Sequence, residues 1–133
     1  MEAKTNKYRI LETNVLLERF FTYREVFTEY FKTIKVIERG EALRYETYSR
    51  LTDNYIFNIN RFVRFCDSYI TKYGMENSSM ADSLNRYFMD LIEAINCLDT
   101  ERDVIDHPRL ELSKSKIRTR EVEFMSTINF LAK

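Results

Sequence analysis

Residues 16–37 read LLERFFTYREVFTEYFKTIKVI, and within them Leu16, Phe20, Tyr23, Phe27, Tyr30, Ile34 and Ile37 recur at alternating spacings of four and three. An α-helix turns once in about 3.6 residues, so this rhythm stacks the seven side chains on one stripe. Such a seam is built to face other helices. Thr13 or Asn14 is suited to cap its start, and Gly40 stands where a left-handed C-terminal residue is wanted. Upstream, Tyr8, Ile10 and Leu11 supply either an earlier turn or a separate short segment.

The same rhythm continues in Tyr48, Leu51, Tyr55, Ile59, Phe62, Cys66, Tyr69 and Tyr73, and no Gly or Pro falls between Gly40 and Gly74. This predicts one helix over 41–73, about 50 Å long at roughly 1.5 Å per residue, with part of it projecting past its neighbours. Thr52-Asp53-Asn54 is its weak point, because these residues favour caps over helix interiors. A third helix follows from Asn77, Ser78 or Ser79, with Ser79 and Asp82 at capping-box spacing and a stripe of Leu84, Phe88, Leu91, Ile95 and Leu98. Thr100 and Asp103 repeat that spacing, which predicts a short extra helix ended by Pro108, since proline disfavours helix at the residue before it. The last helix carries Ile117, Phe124, Ile128 and Leu131, with Val122 and Met125 as a second row.

The expected fold is therefore all-α: a single domain over 1–133 forming an antiparallel up-and-down bundle of four helices, or five if Thr100 starts one. Helix content above about 65% is expected, against a usual third. Phe27 and Phe62, mid-seam on the two longest runs, belong in its core. With 2 Gly and 1 Pro the chain lacks the punctuation of turn-rich β folds.

Composition also narrows function. Basic and acidic residues balance at 21 each, so no global field draws nucleic acid or an anionic membrane, and a partner of that kind must be recognised locally. Charged residues interrupt the first thirty positions and no run of about 18 apolar residues occurs, which predicts a cytoplasmic chain with no signal peptide and no membrane contact. Cys66 and Cys97 fall on apolar stripes and read as buried small hydrophobes, with a disulfide unneeded. One His and two distant Cys cannot make an ordinary zinc site, and no glycine-rich phosphate loop or nucleophile elbow is present. No metal and no cofactor are expected.

Three features remain. The first is Arg102-Asp103-Val104-Ile105-Asp106-His107, an Arg followed by four residues and a His, with a polar residue after the Arg. It resembles the R-x4-6-H signature of the HEPN superfamily of small helical bundles, and the continuation through Leu110 and Leu112 resembles its HepT-like branch. Arg109 stands where that branch usually carries a Tyr, and Pro108 directly after the His is unusual for it. The resemblance implies a metal-independent ribonuclease acting at a dimer cleft, or an RNA-binding relative without catalysis. In such a site Arg102 would steady the scissile phosphate, His107 would transfer protons near neutral pH, and Asp103 would hold the polar position. Residues five apart on a regular helix diverge by about 140°, so convergence needs a helix break or a second protomer. The plainer reading makes His107 a surface loop residue and pairs Arg102 with Asp106.

The second feature is the basic run Arg109, Lys114, Lys116, Arg118 and Arg120, set against Glu111 alone. Cations near a helix N-terminus cost a few tenths of a kcal/mol each. An anionic partner (RNA, DNA or an acidic protein surface) would explain them. So would neutralisation by the upstream Glu101, Asp103 and Asp106. The third feature is aromatic. Arg61-Phe62-Val63-Arg64-Phe65 has the residue types of a base-stacking platform, although the seam spacing already assigns Phe62 to the core. Tyr45, Phe57 and Phe65 lie off the main stripe, and such a patch calls for a cover, most simply a second copy. Two functions stay open on this evidence: a non-enzymatic interaction module, homodimeric and with an unknown protein partner, or a HEPN-like ribonuclease or RNA-binding relative using Arg102 and His107.

Overall fold

The computed structural model describes residues 2–44 and 47–131, with side chains described for 7–44 and 47–128. Four helices make up about 80% of the chain: α1 Glu2–Glu38, α2 Tyr48–Lys72, α3 Ser79–Ile95 and α4 His107–Leu131. Between α3 and α4 lies a small antiparallel hairpin, β1 Leu98–Asp99 paired with β2 Val104–Ile105, Leu98 opposite Ile105.

Contacts along each seam fix the topology. Glu12 pairs with Lys72 while Tyr30 packs on Tyr55, ring centroids 4.0 Å apart, so α1 and α2 run antiparallel. Tyr55 donates to the Leu91 carbonyl at 2.9 Å and Phe62 meets Phe88 at 5.7 Å, which turns α3 back along α2. Cys97 faces Ser113 and Asp90 holds Arg120 across the α3–α4 seam. Phe20 meets Phe124 at 4.5 Å and Glu38 meets His107, closing α4 against α1. The result is the expected up-and-down bundle.

Phe20 stands at its centre. Wholly buried, it touches Phe62 of α2, Tyr87 of α3 and Phe124 of α4, at centroid distances of 6.4, 5.6 and 4.5 Å. The expected core residues Phe27 and Phe62 are 2% and 0% exposed. Both cysteines are buried and free. Burial also pushes the Cys66 thiol and the Tyr87 hydroxyl well above their ordinary pKa ranges, so neither ionises in the core. No helix is long and apolar enough to cross a membrane among the described residues.

Several boundaries differ from the sequence expectation, each for a local reason. Thr13 does not cap α1. It lies inside a longer helix, fully buried, with its hydroxyl donating to the Arg9 carbonyl at 2.6 Å and touching the Tyr69 hydroxyl. The second helix begins only at Tyr48, because Thr47 takes an extended conformation and its side chain accepts the Arg50 N–H. At 25 residues α2 is about 37 Å long rather than 50. It runs unbroken through Thr52-Asp53-Asn54. The projecting helix is α1: Glu12 lies against Lys72, so residues 2–11 extend past the end of α2.

Gly40 does end α1. At φ +70° it lets Gly40 N–H reach the Ile37 carbonyl and Glu41 N–H reach that of Val36, a Schellman closure. At α3 the cap is Ser78, which accepts the Ala81 N–H, so Ser79 and Asp82 form no capping box.

The fifth helix is absent. Asp99 Oδ1 accepts the N–H groups of Glu101 and Arg102, both at 3.1 Å, and so folds residues 100–103 into a turn. Asp103 takes the left-handed φ of +53°, which a short polar side chain tolerates. The β-branched Val104 and Ile105 then pair back. Pro108 opens α4 instead of ending a helix. Asp106 caps it, accepting the Arg109 N–H at 3.2 Å on Oδ1, and a proline in the first turn lacks only a donor that would be orphaned there. Tyr45 and the side chain of Leu131 lie outside the described residues.

Candidate functional site

The hairpin and the start of α4 place Arg102 and His107. Arg102 stands in the turn, exposed, with Nε 3.8 Å from Asp99 Oδ2 rather than on Asp106, which is occupied in capping α4. His107 is the first residue of α4, not a loop residue, and its Nε2 lies 2.7 Å from Glu38 Oε2 at the end of α1. Asp103 is exposed between them in the turn. Among the described residues no hydrogen bond or ion pair joins Arg102 to His107. No group of three His, Cys, Asp or Glu side chains there could hold a metal ion.

The basic run divides between the two sides of α4. Arg109 donates from Nε to Glu93 at 2.7 Å and also reaches the Asn96 carbonyl. Arg120 donates from Nε to Asp90 at 3.0 Å and from Nη1 to Glu123. Their ion-pair acids come from α3 and α4. Of the upstream acids Asp106 adds a lesser electrostatic contribution at Arg109, while Glu101 and Asp103 form no ion pair with the run among the described residues. Only Arg109 lies in the first turn of α4, which confines the dipole penalty to that residue. Lys114 pairs with Glu111 and sets its ammonium 5.4 Å from the centre of the Phe31 ring. Lys116 and Arg118 have no carboxylate within ion-pair distance among the described residues.

Lys114 and Arg118 open onto a groove between α1 and α4. Of the four seams this one is the most thinly packed, and it leaves a hollow of about 450 Å³. Arg24, Lys32 and Lys35 join them from α1, over a floor of Phe31 and Ile117. Arg24 rests its guanidinium 4.9 Å above the Phe21 ring and directs Nη1 to the Met125 sulfur. Lys32 pairs with Glu29 on its own helix. No ion pair engages Lys35 among the described residues. The groove is not uniformly basic, because Glu25 and Glu121 line it as well. Burial raises the Glu121 pKa despite the opposing charges of Arg24 and Arg118. Since Arg24 and Glu25 lie near Glu121 and Phe31 lies under Lys114, the groove has one mixed end and one cationic end, the latter built from Lys32, Lys35 and Lys114.

Sequence reasoning missed Arg24, Lys32 and Lys35. Their helical spacing is visible in the chain, but which flank of the α1 seam stays open depends on how closely α4 approaches.

A second hollow, of about 760 Å³, lies beside α2 and is lined by Leu43, Leu51 and Phe57 among polar residues. Phe57 is 57% exposed and Leu43 70% exposed, with the Arg61 guanidinium 5.7 Å from the Phe57 ring centre. Phe65, expected beside Phe57 on an open patch, is instead half-buried with Arg19 over its ring. Phe62 is buried against Phe20, Tyr23 and Phe88, which removes it from any stacking platform. No family model, curated protein or solved structure matches the chain.

Proposed function

We propose that the protein is a non-enzymatic interaction module that associates with a second copy of itself through the α2 face around Phe57. The observation that carries this reading is the pairing of two large exposed side chains, Phe57 and Leu43, at one open hollow. Phe57 lies off the core stripe of Tyr55, Ile59 and Phe62, so bundle packing does not account for it. Apolar groups gathered at one place on a surface mark interfaces, and a two-fold dimer is the commonest way to cover them. Arg102 and His107, each engaged with a different acid, add nothing that favours catalysis over binding.

Light scattering at tens of micromolar tests the reading. A mass near twice the 16.1 kDa chain is expected. Phe57→Glu, at an exposed position, should return the mass to one chain without altering the helical circular dichroism. A clean single-chain mass for the natural sequence would reject it.

A further inference from the structure

The groove between α1 and α4 lies apart from the Phe57 face and has a different chemistry. We infer that it is a docking site for an acidic amphipathic helix of a partner protein, the acids seated at the Lys32–Lys35–Lys114 end. Four observations carry this.

Cations from two helices converge there, and two of them, Lys35 and Arg118, hold no ion pair among the described residues, although Glu121 lies within electrostatic reach of Arg118. The same helix neutralises its other arginines thoroughly, Arg109 on Glu93 and Arg120 on Asp90 and Glu123. Toward α3 the arginines of α4 reach acids across the seam, whereas along the groove Lys114 pairs only within its own helix, with Glu111, and Arg118 holds no ion pair among the described residues.

The floor is apolar, built from Phe31 and Ile117, so the occupant needs apolar side chains beside its acids. An amphipathic helix supplies both on neighbouring faces, acids recurring every three or four residues, and laying one in a groove between two helices is an established mode of recognition.

Glu25 and Glu121 occupy the other end. They oppose a uniform polyanion and suit a protein segment whose charge changes along its length. Nucleic acid fits less well on two further counts. The chain has no net charge to steer a polyanion, and the Phe31 face a base would stack on is already covered by the Lys114 ammonium.

Fluorescence anisotropy on the full chain tests the inference with three labelled probes. One is a helical peptide with glutamates four residues apart flanked by leucines, one is a scrambled peptide of identical composition, and one is single-stranded poly(U). The helical peptide should bind tightest and weaken as salt rises. Lys35→Glu combined with Arg118→Glu should weaken it by about tenfold or more, as expected for charges at a recognition surface. Lys116→Glu, which reverses a charge outside the groove, should leave it unchanged. Neither Lys35 nor Arg118 holds an ion pair among the described residues, so the double variant should keep its circular dichroism, with a small fall in melting temperature from the carboxylate set near Glu121. The inference is overturned if the helical peptide fails to bind, if it binds no better than the scrambled one, or if the groove variant binds it undiminished. It is overturned equally if poly(U) binds more tightly through the same residues.

Discussion

Helix α4 has two flanks with opposite electrostatic habits. Toward α3 its arginines cross the seam to acids: Arg109 to Glu93, and Arg120 to an Asp90 whose side chain is only 15% exposed. Toward α1 no Lys or Arg of α4 forms an ion pair with an acid of α1 among the described residues. Lys114 pairs with Glu111 of its own helix, Arg118 lies near Glu121, and the seam opens into a groove shared with Arg24, Lys32 and Lys35. One sequence run, five basic residues in twelve, thus serves the fold on one side and is available for recognition on the other. Partner geometry makes the difference. A carboxylate at hydrogen-bond distance in a half-buried seam turns a cation into a structural element, whereas the same cation facing a like charge stays free.

Both flanks rest on one core, and breaking that core should abolish the contrast. Phe20→Ala removes the ring that touches α2, α3 and α4 together, so urea unfolding should show a loss of about 3–5 kcal/mol. A loss below about 1 kcal/mol would mean that the rings do not share one core.

Within the intact fold, the flanks should respond unequally to truncation. Arg120→Ala strands Asp90, and the loss should be about 1–2 kcal/mol, moderated because neither partner is fully buried. Arg118→Ala, two residues away on the groove side, should stay within about 0.5 kcal/mol of the natural chain. Equal losses for the two would erase the distinction between the flanks.

Acidity sharpens the same comparison. Partial burial in the groove wall raises the Glu121 pKa above the ordinary glutamate value of about 4.5. A carboxyl whose folded pKa is raised favours the protonated folded state, so its contribution to stability declines as pH rises from about that value to the raised one. Glu121→Gln should therefore stabilise the protein at pH 7 and have little effect near pH 4, as read from paired melting curves. A variant less stable at pH 7 would show that Arg24 and Arg118 outweigh burial.

A small effect is also expected at the end of the α1–α4 seam. The His107–Glu38 contact is surface-exposed, and His107→Ala should cost no more than about 1 kcal/mol.

The helical architecture was legible in the chain because the three-and-four rhythm of Leu16–Ile37 and Tyr48–Tyr73 reports which side chains must be hidden. Gly40 was legible for a similar reason, since a left-handed position admits few other residues. What failed was the fine choice among competing caps. Thr13, Ser79 and Thr100 each carry a hydroxyl suited to begin a helix, and burial, a better-placed Ser78 and the Asp99 turn respectively decided otherwise. Pro108 misled because proline is compatible with the start of a helix as well as the end of one.

Of the candidate site, Lys114 and Arg118 were found as members of a charge run. Their separation from Arg109 and Arg120 was not, because it depends on Glu93, Asp90 and the α1 cations meeting α4 in space. Arg102 and His107 are neighbours in sequence, yet the hairpin and the helix start bind them to separate acids.

The division of α4 into a structural flank and a recognition flank is tested most directly by nuclear magnetic resonance. The backbone amides of the ¹⁵N-labelled chain would be followed as the acidic helical peptide is added. Shifts concentrated in residues 24–35 and 114–121, with 79–95 of α3 unmoved, are the predicted result. Shifts centred on the α3–α4 seam, or none at peptide saturation, would contradict the account.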